Sequence, residues 1–505
     1  MTKATDRSRM LHEMTSAPLD VLVVGGGIVG AGIARDAGLR GLRVGLVEQY
    51  DFAGGTSSRS SRLLHGGLRY LAQGRIGLVH EASVEKRIIH HIAPHLSAPL
   101  AFLFPTYQCP PWATWALWKL RIGVKIYDLL CGGRNLGKSS SLKPGALTSY
   151  LPGVRTERLT GAVRYYDGLT NDARLVIDTL RSAARAGALV LNYCPLNEAH
   201  PEDGRWRCLL TDKLTGDSHT VTARTVVNAT GPWAQQLKHS AVKLRLTKGV
   251  HLVIDRQRLP VPDAVVMTEG SRILFAIPWG ERVILGTTDT DYDERIESVR
   301  TSPEDVQYIL GVVNQAFPQA NLTPADIISS WAGLRPLVAD PNGKPSDISR
   351  AHEILSPKPG WWDVTGGKLT TYRLMAEQTV DKLEKYLGQT PTPCRTATTP
   401  LLDPPETEGF SGIIPPEVAR QAVEHYCANE WAVHLDDVML RRAGWHYWHR
   451  QARQIAEQVA GWMADILGWD ETKVRAEMER YLNAVDSPPT EAAFATSEEK
   501  EPAKA

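Results

Sequence analysis

Gly25, Gly27 and Gly30, followed eighteen positions later by Glu48, have the spacing that holds a dinucleotide. Each residue type has its own physical task. The first glycine permits a tight turn, the second lets a pyrophosphate approach the backbone, and the third lets helix and strand pack closely. The helix N-terminus that follows offers N–H groups and a partial positive charge to the phosphates. Glu48 is placed to accept both ribose hydroxyls, which suits FAD or NAD and disfavours a 2′-phosphate. The turn does not separate FAD from NAD. No second glycine-rich turn of this kind is evident, so one bound dinucleotide that receives a hydride and passes electrons onward is the simpler reading.

Other segments carry chemistry of lower specificity. Thr56, Ser57 and Ser60 follow the strand ending on Glu48, so their hydroxyls are within reach of a pyrophosphate. Asn228-Ala229-Thr230-Gly231 ends a strand on small residues, where backbone and ligand can meet closely. A lone arginine is more often a surface charge than a ligand, and a lone histidine is usually structural. An arginine fork nevertheless suits a phosphate dianion, and an imidazole suits proton removal near neutral pH.

The elements that must position these residues are partly legible. Asp20–Val24 is a short apolar run into the glycines, 28–38 reads as a helix rich in small residues, and Arg43–Val47 reads as a second strand. Together they predict a right-handed βαβ unit. Strand-like runs recur near 188–191, 220–228, 251–254, 273–277 and 283–285. Thr371–Leu387 is an amphipathic helix with Ala376, Val380, Leu383 and Leu387 on one face. The sequence reads as an N-terminal extension (1–19) and an oxidoreductase region (20–387). Within that region, dinucleotide-binding parts near 20–85, 150–245 and 330–387 interleave with substrate-domain parts near 86–149 and 246–329. A Pro/Thr-rich linker (388–416), a helical domain (417–485) and a disordered tail (486–505) complete the order.

At 505 residues the chain is too long for one ordinary core. With 57 basic and 56 acidic residues there is no global field for nucleic acid. Six cysteines without paired spacing fit reduced thiols in a cytoplasmic setting and predict neither a disulfide framework nor a metal site. The first eighteen residues lack the apolar stretch of a secretory signal. No run reaches the roughly 18 apolar residues of a spanning helix, so any membrane contact is peripheral.

Taken in order, the motifs resemble the FAD-dependent, aerobic-type glycerol-3-phosphate dehydrogenase family. They are Gly25–Gly32, Thr56-Ser57-Ser58, His65–Leu71, Asp172–Leu175, Asn228–Trp233, Lys248-Gly249-x-His251, Gly286–Asp289, Gly333–Leu337, Gly366–Arg373 and Asp437–Arg442. Val29 in the turn and Ala443 after Arg442 depart from the family pattern. The resemblance implies an α/β fold: a Rossmann-type FAD domain like those of glutathione reductase and D-amino-acid oxidase, an interleaved β-sheet substrate domain, and an all-α C-terminal domain. It implies FAD, bound by the glycine turn, Glu48, Thr56, Ser57, Ser60, His65, Gly67, Ala229, Gly231 and Gly367-Lys368-Leu369-Thr370. The substrate it implies is glycerol 3-phosphate, bound by Arg69, Tyr70, His251, Arg335 and Lys368, with Arg373 secondary. His251 is the first candidate for the base, His65 the second, and Arg335 assists.

A membrane quinone is the implied electron acceptor. The segment bearing Trp112, Trp115, Trp118, Lys119, Arg121, Lys125 and Arg134 has the aromatic and basic mixture of a membrane-surface element at the inner face of the cytoplasmic membrane. A core-facing helix is the equal alternative for that segment. Competing functions are an oxygen-using oxidase of the same substrate or of an amino acid, an NAD-dependent dehydrogenase, and a non-catalytic flavin-binding scaffold. The helical tail is open to dimer contact or to domain capping.

Overall fold

The computed structural model describes residues 6–485 apart from 73, 111–112, 114, 133–134, 271 and 339–351, and does not describe the side chains of 69 and 72. Strand Leu19–Val24 enters the glycine turn, helix Ile28–Leu39 leaves it, and Val44–Val47 returns parallel to the first strand with Val21 opposite Val44. Both strands are apolar and almost wholly buried because helices cover both faces of a parallel sheet. The small residues of Ile28–Leu39 also serve packing. A Cβ on Gly32 would lie 2.9 Å from the Tyr372 ring, so the glycine lets helix Tyr372–Leu387 approach closely.

Among the described residues this sheet has eight strands. Its main path runs His352–Lys358, Trp361–Gly366, Ser218–Asn228, Leu19–Val24, Val44–Val47, Leu189–Leu191. A second, ten-stranded sheet is built around Leu244–Asp255, which pairs with Arg282–Gly286 on one side and Ile327–Val338 on the other. Helix Pro303–Ala316 packs on one face of that sheet. The C-terminal helices Arg420–Asn429, Ala452–Leu467 and Glu471–Ala484, with the π-helical turn Asp437–Arg442, share an apolar core with the other face.

Several boundaries differ from the sequence expectation. Strand Leu159–Thr170, expected within the dinucleotide-binding part, pairs with Ser97–Tyr107 and Leu63–Leu64 in the second sheet. Ile327–Val338 also belongs there rather than with the residues from 330 onward. These pairings are set by registers between segments distant in sequence, which local patterns do not encode. The linker expected at 388–416 is strapped to the body: Arg35 donates to the Thr399 carbonyl at 2.6 Å, and Leu401 N–H to Ile92 O at 2.9 Å. The N-terminal extension contains helix Arg7–Ser16, which buries Met10, Leu11 and Met14 and ties Arg7 to Asp212 at 2.7 Å. The tail expected at 486–505 lies outside the described residues.

Candidate functional site

A cavity of about 570 Å³ lies at the carboxyl ends of the parallel strands, lined there by Val24, Val47, Ala229 and Val364. This is where open α/β sheets bind ligands. Gly25 turns the chain with φ +113°, and a Cβ there would lie 2.6 Å from the Ala229 carbonyl oxygen. A Cβ on Gly30 would run into the Gly25 carbonyl, so Gly30 packs the turn and does not itself line the cavity. Gly27 lines it and caps helix Ile28–Leu39 without a side chain, leaving the approach to the helix N-terminus clear.

Glu48 is half-buried against the turn. Its Oε2 accepts from Gly26 N–H at 2.7 Å and its Oε1 from Tyr50 N–H at 2.9 Å. Burial pushes the Glu48 carboxyl upward, and the two backbone N–H groups oppose that shift. Each oxygen retains acceptor capacity for a hydroxyl. Thr56, Ser57, Ala229, Gly231, Gly367, Lys368 and Leu369 also line the cavity. Ser57 Oγ accepts from Ile28 N–H at 3.0 Å, and Thr56 Oγ1 donates to Leu334 O at 2.7 Å, so the hydroxyls bind turn and second sheet together.

Other expected residues stand one layer back. Ser60 stands behind the cavity lining: its N–H donates to Asp172 and its Oγ accepts from Arg62 N–H. His65, Gly67 and Thr370 adjoin the lining without joining it. His65 N–H donates to Thr370 Oγ1 at 3.0 Å, which fixes the loop against the Gly366–Leu369 segment. Lys368 Nζ lies 4.0 Å from the Tyr70 ring centroid, and a Cβ on Gly67 would lie 3.4 Å from that ammonium. Arg69 is on helix Leu68–Ala72, but its side chain is outside the described set.

Arg335 adjoins Pro336, which lines the cavity. Its guanidinium donates to Thr287 Oγ1 at 2.9 Å and pairs with Asp289 at 3.2 Å. A Cβ on Gly249 would run into that guanidinium, so the glycine makes its room. His251 lies in the second sheet, not in the cavity wall, with its ring stacked on Trp331 at 5.2 Å between centroids. Its Nε2 meets Ser61 Oγ at 2.7 Å, while Nδ1 has no hydrogen-bond partner among the described residues. Burial, then the Arg335 and Arg62 charges, push the imidazole down to about 3. Arg373 is a structural cation instead of a ligand, buried and paired with Glu85 and Glu377, each at 2.6 Å.

Sequence reasoning missed two sets of residues. Segment 195–200 and residues Gln236 and Lys238 form cavity walls without a motif; Pro232 and Trp233, which also line it, stood in the segment Asn228–Trp233. Beneath the His65–Tyr70 loop, Tyr127 OH accepts from Gly66 N–H at 2.8 Å and donates to Asp167 at 2.6 Å, while buried Lys86 pairs with Asp167 at 2.8 Å. Their signal was weak: Tyr127 continues the apolar spacing of Leu120 and Val124. Among the described residues, no group of three His, Cys, Asp or Glu side chains is placed to hold a metal.

The glycine turn, the carboxylate beyond the second strand and the cavity along the strand ends define a dinucleotide-binding oxidoreductase with a second, β-sheet domain. FAD fits these residues: the turn and helix N-terminus for the pyrophosphate, Glu48 for the ribose, and Gly366–Leu369 farther along the wall. The FAD dependent oxidoreductase family profile matches residues 20–381, and the C-terminal domain of alpha-glycerophosphate oxidase matches 415–474. Aerobic glycerol-3-phosphate dehydrogenase of Bacillus subtilis is 40% identical over 78% of this chain and 73% of its own length. That of Staphylococcus aureus is 40% identical over 77% of this chain and 72% of its own. Among solved structures, the glycerol-3-phosphate dehydrogenase from Bacillus halodurans complexed with FAD is 32% identical, with a TM-score of 0.76 over 97% of this chain and all of its own. At 16% identity and a TM-score of 0.59, the L-alpha-glycerophosphate oxidase from Mycoplasma pneumoniae, covering 75% of this chain and 98% of its own, shares the fold. The chain belongs to the FAD-dependent oxidoreductases, in the family of the aerobic glycerol-3-phosphate dehydrogenases, and FAD is its cofactor.

Proposed function

We propose that the protein oxidises sn-glycerol 3-phosphate to dihydroxyacetone phosphate and passes the electrons to a membrane quinone. The observation that carries the substrate reading is the cationic end of the cavity, where Lys368 lines the wall against Tyr70 and Arg335 stands beside the lining residue Pro336. The relatives' names agree with that chemistry. Bound FAD supplies the two-electron acceptor for the carbinol hydride. Arg335 and Lys368, with Arg69 on its helix, hold the phosphate dianion through charge-assisted bonds, and Tyr70 fixes the Lys368 ammonium. His251, neutral at physiological pH, takes the hydroxyl proton; His65 is the second candidate for that role.

The membrane part of the reading is supported by helix Leu117–Leu130. Its buried residues Leu120, Val124 and Tyr127 face the body. Its opposite face exposes Trp118, Ile122, Ile126 and Leu129, the last at 74%. Their i, i+4, i+8, i+11 spacing makes one apolar stripe, and Lys119, Arg121 and Lys125 lie on the same helix. Trp112 and Arg134, also expected in this element, lie outside the described residues. No helix among the described residues is long and apolar enough to cross a membrane. A stripe of this kind suits the inner surface of the cytoplasmic membrane.

The test is anaerobic addition of sn-glycerol 3-phosphate to the FAD-loaded protein. Bleaching of the oxidised flavin band, followed by reoxidation with a soluble quinone faster than with oxygen, is expected. An unbleached, fully loaded flavin overturns the substrate. Faster reoxidation by oxygen with stoichiometric peroxide makes the protein an oxidase.

A further inference from the structure

The segment from Glu48 to Gly55 wraps the glycine turn on three sides. Glu48 accepts from Gly26 N–H at 2.7 Å, Ala53 N–H donates to Gly26 O at 3.0 Å, and a Cβ on Gly26 would lie 2.5 Å from Phe52 Cδ1. Glu48, Gln49, Tyr50, Gly54 and Gly55 line the cofactor cavity, whereas Asp51 and Phe52 between them do not. Those two residues point instead into the C-terminal helical domain. Asp51 is buried, with its carboxylate gripped by the Arg441 Nε–H and by both terminal nitrogens of Arg442, Nη2 reaching Oδ1 at 2.8 Å. Phe52 is fully buried, and its ring meets the edge of Trp431 at 5.4 Å between centroids, with an interplanar angle of 85°. Asn192, just past strand Leu189–Leu191, links the two contacts by donating to Asp51 at 3.2 Å and to Trp431 O at 3.0 Å.

We infer that the C-terminal domain is a clamp that retains the cofactor: Arg441, Arg442 and Trp431 are positioning residues that hold Asp51 and Phe52, and through them the Gly26 turn and Glu48. The chemistry favours this over a generic domain staple. The anchored pair sits in the middle of a cavity-lining segment: Gly54 N–H donates to the Asp51 carbonyl at 3.1 Å, and Phe52 packs on Gly26, whose N–H donates to the cavity-lining Glu48. Burial would raise the Asp51 carboxyl, but Arg442 and Arg441 overcome that and hold it below the usual carboxylate range. The contact is therefore charged across the physiological range, and a buried, fully paired ion cluster keeps one geometry. The inference rests on FAD binding and not on the substrate or the electron acceptor.

The test uses full-length Arg442→Lys, Asp51→Asn, Trp431→Leu and Phe52→Leu. Each is stripped of FAD and titrated with it, with the quenching of flavin fluorescence as readout, and the unfolding midpoint of each apoprotein is measured alongside. We expect at least a tenfold rise in the FAD dissociation constant for Arg442→Lys and Trp431→Leu. The Trp431→Leu and Phe52→Leu effects are expected to be non-additive in the double variant. The KM for sn-glycerol 3-phosphate at saturating FAD stays within twofold. FAD affinity unchanged within twofold, with only a lower apoprotein midpoint, makes the contact a structural staple and overturns the clamp. Should Asp51→Asn leave Arg442 without its carboxylate partner and fail to fold, the Trp431–Phe52 pair decides alone. Additive effects there overturn the inference. A failed flavin bleaching with normal FAD affinity affects the substrate reading only.

Discussion

His251 shows how much a residue's surroundings decide. It is 2% exposed, stacked on Trp331 and faced by the Arg335 and Arg62 charges, so it remains an uncharged ring at neutral pH. Such a ring carries no charge to attract an anion. Replacement by Asn is expected to lower kcat by about 10²–10⁴-fold, the usual range for losing a general base, with FAD content unchanged. Loss of FAD from His251→Asn would instead make the residue part of the scaffold. The depressed pKa has a second consequence. The folded value is about 3, against roughly 6.5 in an unfolded chain. Between those values the folded state therefore binds fewer protons than the unfolded one. Stability associated with neutral His251 is complete above pH 6.5 and is lost as pH falls toward 3. The melting temperature of His251→Asn is expected to fall less steeply than that of the parent between pH 6.5 and 4, measured by thermal denaturation across that window. Parallel curves would assign the acid sensitivity to other groups.

At the scale of the element, helix Leu117–Leu130 has two faces with separate tasks. Its apolar stripe is the surface proposed for the membrane, and Ile122→Glu with Leu129→Glu is expected to abolish co-sedimentation with anionic vesicles. Turnover with a soluble dye acceptor should be unaffected, since neither side chain reaches the cavity. The buried face holds the loop before helix Leu68–Ala72 through Tyr127 and Gly66. Tyr127→Phe deprives Gly66 N–H of its nearer acceptor, leaving Asp167 Oδ1 at 3.4 Å, at a cost of about 1–3 kcal/mol. A rise in substrate KM with unchanged FAD affinity is expected from steady-state kinetics; an unchanged KM would separate helix from loop. The glycine turn and Glu48 were readable in sequence because each answers a local need, a tight turn and a carboxylate at a strand end, whereas Gly366–Leu369 was placed at the cofactor only by the family resemblance. Ser60 Oγ accepts from Arg62 N–H two residues on, a local turn indistinguishable by residue type from a ligand loop. Tyr127, Asp167 and Lys86 went unread because residues 40 and 81 positions apart meet only once two helices and a strand have packed. Ser97–Tyr107, buried along most of both faces, lacks the alternation that would mark it as a strand.

The whole molecule depends on buried charge between its C-terminal domain and its body. Beside the Asp51 cluster, Glu430 is fully buried and takes both Arg174 nitrogens, at 2.6 and 2.8 Å, with Arg181 at 3.3 Å. Arg174 and Arg181 belong to helix Asp172–Arg185, which packs directly on the helix of the glycine turn. Burial would raise the Glu430 carboxyl, yet Arg174 prevails and holds it below the ordinary carboxylate range. The folded protein thus binds fewer protons than the unfolded chain as acid is added. The stability this carboxylate contributes is complete above its unfolded value of roughly 4.3 and is lost as pH falls below it. Glu430→Gln removes one member of a buried pair, a change that costs about 3–5 kcal/mol near neutral pH. It also removes the titration, so its stability is expected to vary less between pH 6 and 3 than that of the parent. Urea denaturation at stepped pH, with flavin fluorescence reporting cofactor release in the same samples, measures both. A variant as acid-sensitive as the parent would move the acid-labile contact away from Glu430, leaving the Asp51 cluster as the place where protonation first separates the C-terminal domain from the body.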